Sequence, residues 1–170
     1  MRILLLIIPI FIFAFDFKQE YLNKNFEKIC KYGVYHIKEI KNNDDLLSLV
    51  GFSCIKSDNI IYLPAIVNLL KNSKKARLNS IYFSIIFLEK KLLISYVLDG
   101  IDISYYRFPL TDYPLSIVIN NIINKTFKKE NNLIIISYKN KIYKVYKSKD
   151  NKVFIDVYQN NQLIQSHWYK

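Results

Sequence analysis

Cys30 and Cys54 are the two cysteines of this 170-residue chain, and His36 and His167 its two histidines. Thiols and imidazoles are the side chains most readily turned into nucleophiles, proton carriers or metal ligands, so their spacing limits the available chemistry. Cys30 and His36 stand six residues apart, about 240° around a helix, and so cannot share a metal ion. The cysteines also lack the C-x-x-C spacing that lowers a thiol pKa. Outside a reducing cytosol they read instead as one disulfide, Cys30–Cys54. His36 is expected at the surface or the edge of the core, and His167 stacked on its neighbour Trp168.

Other chemistries are excluded on spacing. Gly33, Gly51 and Gly100 are the only glycines, too scattered for a loop that cradles phosphate by close backbone approach. No G-x-S-x-G elbow occurs, and no serine is placed against a histidine by motif. Asp99 and Asp102 flank Gly100, but the alternating oxygen ligands of a calcium loop are missing, so turn and capping duty is expected of them. Two positioned carboxylates for glycoside hydrolysis cannot be nominated by spacing. No catalytic residue, metal ligand or cofactor is assigned.

Two patches remain as candidate binding surface. The stretch "SYKNKIYKVYKSK" interleaves Tyr138, Tyr143 and Tyr146 with five lysines and contains no acid. Aromatic rings between cations suit an anionic polymer, whereas lysine stems covering a solvated strand face are the plainer reading. Strand alternation sets Lys141, Tyr143, Val145 and Lys147 on one side, with Ile142, Lys144 and Tyr146 on the other. The second patch is Tyr105, Tyr106, Arg107 and Phe108, residue types that favour binding hot spots or a linker packed on the core.

The elements that must position these residues are of two kinds. Leu22, Phe26, Ile29, Cys30, Val34 and Ile37 recur at helical intervals, as do Leu46, Leu47, Val50 and Cys54 beyond an Asn-Asn-Asp break. Folding the two helices back about residues 42–43 brings both cysteines level on facing apolar stripes. Ser57 or Asp58 caps a following segment in which Pro64 must lie in the first turns or bend the helix. From a Ser73 cap, a long helix apolar on most sides runs to Gly100. Helix starts at 44 and 75 repeat at a spacing similar to that of tetratricopeptide hairpins, but the signature residues of those repeats are absent. Asp112 and Pro114 open an amphipathic helix through Phe127. After residue 132 the period changes to two, with four β-branched and aromatic runs separated by "KN", "SKDN" and "QNN" turns.

The expected fold is α+β: N-terminal helical hairpins and one later helix, packed on a four-stranded antiparallel meander. The domain is bounded at 15–170, with a helical part at 15–98, a connector at 99–114, a helix at 115–129 and the meander at 132–169. Ahead of it, Ile3–Phe15 is an uninterrupted apolar run, short of the ~20 residues of a membrane span. Arg2, this run and small Ala14 match a signal peptide covering residues 1–14.

The expected location is therefore the periplasm of a bacterium, or an N-terminal anchor facing it, with no stable span after cleavage. The net charge of +11 is spread along the chain, and charge speaks to solubility and non-specific attraction rather than to fold. The expected function is non-catalytic binding of a protein or an anionic envelope polymer, and an exported address argues against nucleic acid. An envelope-acting enzyme and an immunity protein against an exported toxin are the alternatives.

Overall fold

A computed structural model describes residues 15–170; residues 1–14, expected to be a signal peptide, lie outside the described residues. Among the described residues seven α-helices precede a C-terminal antiparallel sheet. Helix α1 (Phe17–Leu22) is capped by Asp16, whose carboxylate accepts from the Gln19 N–H at 2.9 Å. The helical period through residues 22–37 resolves into α1, α2 (Phe26–Tyr35) and α3 (Ile37–Ile40) rather than one rod. Lys24, at φ 58°, reverses the backbone between the first two, and Leu22 is left exposed. The Asn43 side chain caps α4 (Asp44–Lys56) by accepting from the Leu46 N–H at 3.0 Å.

The segment expected to form a second helical hairpin breaks up. A 3-10 turn at Ile60–Tyr62 leads into the five-residue α5 (Leu63–Val67), with Pro64 in its first turn. Proline lacks the N–H that a longer helix would need there. Helix α6 (Lys74–Asp99) runs as its sequence predicts, from a Ser73 cap to Gly100, which takes the left-handed conformation at φ 71°. Ala76, Phe83, Ile86 and Leu93 are among its buried residues, and it packs on α4, α5, α7 and the sheet.

Helix α7 (Pro114–Ile123) is shorter than the 115–129 expected. Lys125, at φ 57°, turns the chain back, and the Thr126 N–H closes the helix end on the Asn121 carbonyl at 2.9 Å. The released residues form a fifth strand, β1 (Lys128–Glu130), which pairs with β2 (Leu133–Tyr138). Strands β3 (Lys141–Lys147), β4 (Val153–Gln159) and β5 (Gln162–Tyr169) complete the meander, in the order β1-β2-β3-β4-β5. Asn131, Lys139, Asn151, Asn160 and Asn161 take positive φ in its turns, a conformation that asparagine tolerates better than most side chains.

One face of the sheet is the floor of the core: Ile134, Ile136, Tyr143, Val145, Val153, Ile155, Val157 and Tyr169 are all buried. Helices α6 and α7 cover that face. At the other end of the core, Cys30 and Cys54 are joined by a disulfide, with their Cα atoms 4.8 Å apart. Gly33, one turn from Cys30, permits this close approach of α2 to α4, and Gly51, one turn from Cys54, permits that of α6 to α4. A β-carbon on Gly33 would lie 2.2 Å from a Val50 methyl, and one on Gly51 would lie 2.2 Å from the Phe83 ring.

Candidate functional site

The register of the meander decides what its uncovered face displays. Tyr146 on β3 lies opposite Phe154 on β4, which lies opposite Trp168 on β5. This makes an aromatic row across three strands, with the first two rings stacked at 5.4 Å. The next row reads Lys128, Ile135, Lys144, Asp156 and Ser166, and the one beyond it Ser137, Ile142, Tyr158 and Leu163.

Lysines lie over the rings. The Lys144 ammonium is 4.6 Å from the centre of the Tyr158 ring, and that of Lys152 is 4.5 Å from Trp168. Each such contact contributes about 0.5–1 kcal/mol at an exposed site, enough to hold the stems against the sheet with their charges outward. The acid of these rows, Asp156, is nearly buried. It accepts from the Tyr146 hydroxyl at 3.0 Å and the Ser166 hydroxyl at 2.6 Å. Burial and the bond to Asp156 push the Tyr146 pKa up, which keeps its proton in place. None of the ion pairs among the described residues involves Lys128, Lys144 or Lys152. The face thus offers aromatic area and unpaired positive charge.

The residues expected to form a surface divide accordingly. Lys144 and Tyr146 belong to this face. Tyr143 does not: it is 2% exposed and packs in the core. Lys141 and Lys147 share its side of β3 but sit at the strand ends, where the covering helices leave room. Lys141 borders an open groove of about 410 Å³ with Leu110, Asp112 and Tyr138. Lys147 borders another, of about 520 Å³, with Tyr96, Lys129 and Lys149.

The connector patch is separate. Tyr105 is exposed and lies 4.5 Å from the Tyr106 ring, which in turn stacks on Phe108 at 6.0 Å. The Arg107 guanidinium is folded back on its own chain, donating to the carbonyls of Ser104 and Tyr106 at 2.6 and 2.5 Å. Phe108 and Tyr106 pack against the core. Phe154, Tyr158 and Trp168 complete the sheet face but were not candidates from sequence, because only strand pairing shows which runs share a side.

His167 and Trp168 do not stack as expected; adjacent strand residues face opposite ways. His167 turns toward the helices, where its Nδ1 lies 2.8 Å from a carboxylate oxygen of Asp58. The same oxygen accepts from the Tyr113 hydroxyl at 2.9 Å, and the Tyr169 hydroxyl donates to that of Tyr113 at 3.2 Å. This network ties the end of α4, the start of α7 and β5 together. Burial pushes the Tyr113 and Tyr169 pKa values far up, so both phenols stay protonated as donors. Glu89 on α6 is fully buried, with neither carboxylate oxygen hydrogen-bonded among the described residues. Burial raises its pKa to about 7, against a smaller opposing effect of the Ser116 hydroxyl.

The four main grooves among the described residues have none of Asp58, His167 and Glu89 in their linings. Asp102 accepts from the Ser104 N–H at 2.9 Å, which is turn duty, and His36 bonds Glu39 at the surface. Among the described residues no three His, Cys, Asp or Glu side chains are grouped to hold a metal ion.

The class these features define is an α+β protein with helices on one face of a meander and an aromatic, basic face left open. No protein-family model matches the chain, and neither a curated protein nor a solved structure matches it.

Proposed function

We propose that this is an exported, non-catalytic binding protein that docks on an anionic partner of the bacterial envelope through the open face of its sheet. The observation that carries the reading is the row Tyr146–Phe154–Trp168 with Lys144 and Lys152 held beside it. Flat aromatic area contacts the body of a partner while unpaired ammonium groups meet its charges. The one acid in the middle has its oxygens engaged by Tyr146 and Ser166 and opposes little of this. Export to the periplasm is part of the proposal. It is supported by the signal-like residues 1–14 and by the Cys30–Cys54 disulfide, a bond that persists in oxidising compartments.

A Lys144→Gln/Lys152→Gln variant, probed with a carboxylated polysaccharide at low salt, is expected to lose at least about tenfold in affinity, since each lost phosphate- or carboxylate-type contact weakens a salt-dependent term. Lys139→Gln/Lys149→Gln, on neighbouring turns, should retain most of the binding. Equal losses in both variants, or none in either, would mean that the lysines act only as general surface charge. An acidic protein retained by the same two lysines would keep the face and change the partner.

A further inference from the structure

The two edges of the meander differ in chemistry. Edge strand β1 is three residues long, Lys-Lys-Glu, all exposed, and a short charged edge resists pairing. Edge strand β5 is eight residues long with no charged residue and no proline. It pairs with β4 alone, and no hydrogen bond from another described residue reaches the outward backbone groups of β5. Leu163, Ile164 and Trp168 are exposed along it at 53%, 43% and 42%. An exposed apolar edge of this length is a template for another strand.

We propose that the strand added is β5 of a second copy of this chain, antiparallel, with a two-fold axis passing Ser166. An interface between identical copies must be self-complementary, and β5 has that property about Ser166. Its order is apolar Leu163-Ile164, polar Gln165-Ser166-His167, then aromatic Trp168-Tyr169. Antiparallel pairing about Ser166 sets Ile164 against Trp168, both partly exposed, and Gln165 against His167. An apolar side chain meets an aromatic one on each side of the axis, and Lys170 falls opposite Gln162, so no ammonium faces another. The register shift between Val157 and Tyr158 leaves Ile164 as the extra residue of a bulge, so Gln165–His167, regular in both copies, carries the new ladder while Ile164 and Trp168 add side-chain contact. A neutral strand offers nothing to select a charged partner, which favours a second copy over an acidic peptide. The pairing extends the aromatic, basic face across two copies but does not depend on its binding anything.

The charge of the chain supplies the discriminating test. At +11, two copies repel until salt screens them, so association strengthens with ionic strength, whereas binding to a polyanion weakens. Sedimentation equilibrium of the purified protein without added polymer, at about 0.05 M and about 0.5 M NaCl, should show a reversible dimer whose dissociation constant falls severalfold at the higher salt. Leu163→Lys/Ile164→Lys should be monomeric at both salts with an unchanged circular dichroism spectrum. Leu78→Lys/Ile81→Lys, on an exposed apolar patch of α6, should dimerise like the parent. Amide exchange of the unaltered protein gives a second readout, with Gln165–His167 slowing as protein concentration rises. A monomer at every concentration and salt overturns the proposal. So does a dimer that survives the β5 variant or is broken by the α6 variant, or β5 exchange that ignores concentration.

Discussion

Glu89 is the residue whose environment most alters its chemistry. Its carboxyl is enclosed between α6 and α7 beside Ser116, and burial raises its pKa from an ordinary 4.5 to about 7. Below pH 4.5 it is neutral whether the chain is folded or not. Between 4.5 and 7 the unfolded chain releases the proton while the folded one keeps it, so stability falls as pH rises. Above 7 the loss levels off at roughly 3 kcal/mol. Glu89→Gln, neutral throughout, is expected to remove most of that decline, and urea denaturation at pH 5 and pH 8 measures it. An equal decline in the variant would place the pH dependence elsewhere. Nothing in the sequence marks Glu89, which stands in "LEKK" as a surface glutamate would. Asp58 was legible only as a cap, although its carboxylate gathers Tyr113 and His167 from 55 and 109 residues away.

At the scale of elements, the α2–α4 pair depends on a small residue, Gly33, where the two helices approach. The expected antiparallel fold about residues 42–43 follows from the apolar spacing, and the disulfide at 4.8 Å between Cα atoms agrees with it. Gly33→Ala drives a methyl against the buried Val50, a kind of overpacking that costs about 1–3 kcal/mol, partly offset by about 1 kcal/mol of helix propensity. The net expectation is a lower melting temperature. The Cys30→Ser/Cys54→Ser double variant releases a loop with a sequence separation of 24 and should lose about 3 kcal/mol. Thermal denaturation of both variants checks these figures. A Gly33→Ala protein as stable as its parent would show that Val50 can move aside. The end of α7 at Ile123 rather than 129 has a local reason. Lys125 is an ordinary helix former, and Lys128, Lys129 and Glu130 have no apolar alternation, so the turn and the fifth strand leave no mark in residue type.

For the whole molecule, the expected architecture of helices on one side of an antiparallel meander is what the structure has. Among the described residues no helix is long and apolar enough to cross a membrane. The export proposal makes a separate prediction, that the mature protein begins at Phe15. Intact-mass measurement of the secreted or periplasmic form tests it, and recovery of a chain beginning at Met1 in the membrane fraction would show an anchor instead. Phe15 stacks on Tyr32 at 3.8 Å, so cleavage there leaves the new terminus held against α2.

Sequence alone determined the features that rest on neighbours along the chain. Apolar period, caps at Asn43 and Ser73, Gly100 at the end of α6 and asparagine-rich turns are written in residues within a few positions of one another. The disulfide was legible because each cysteine lies on the apolar stripe of its own helix. Which side of each strand faces the core was decided only by tertiary packing. Alternation separated Tyr143 from Lys144 and Tyr146, but it could not say which set the helices would cover. That choice buried Tyr143 and opened the row Tyr146–Phe154–Trp168. Contacts over tens of residues also decided the Asp58 network and the enclosure of Glu89, because a side chain's burial depends on what folds over it.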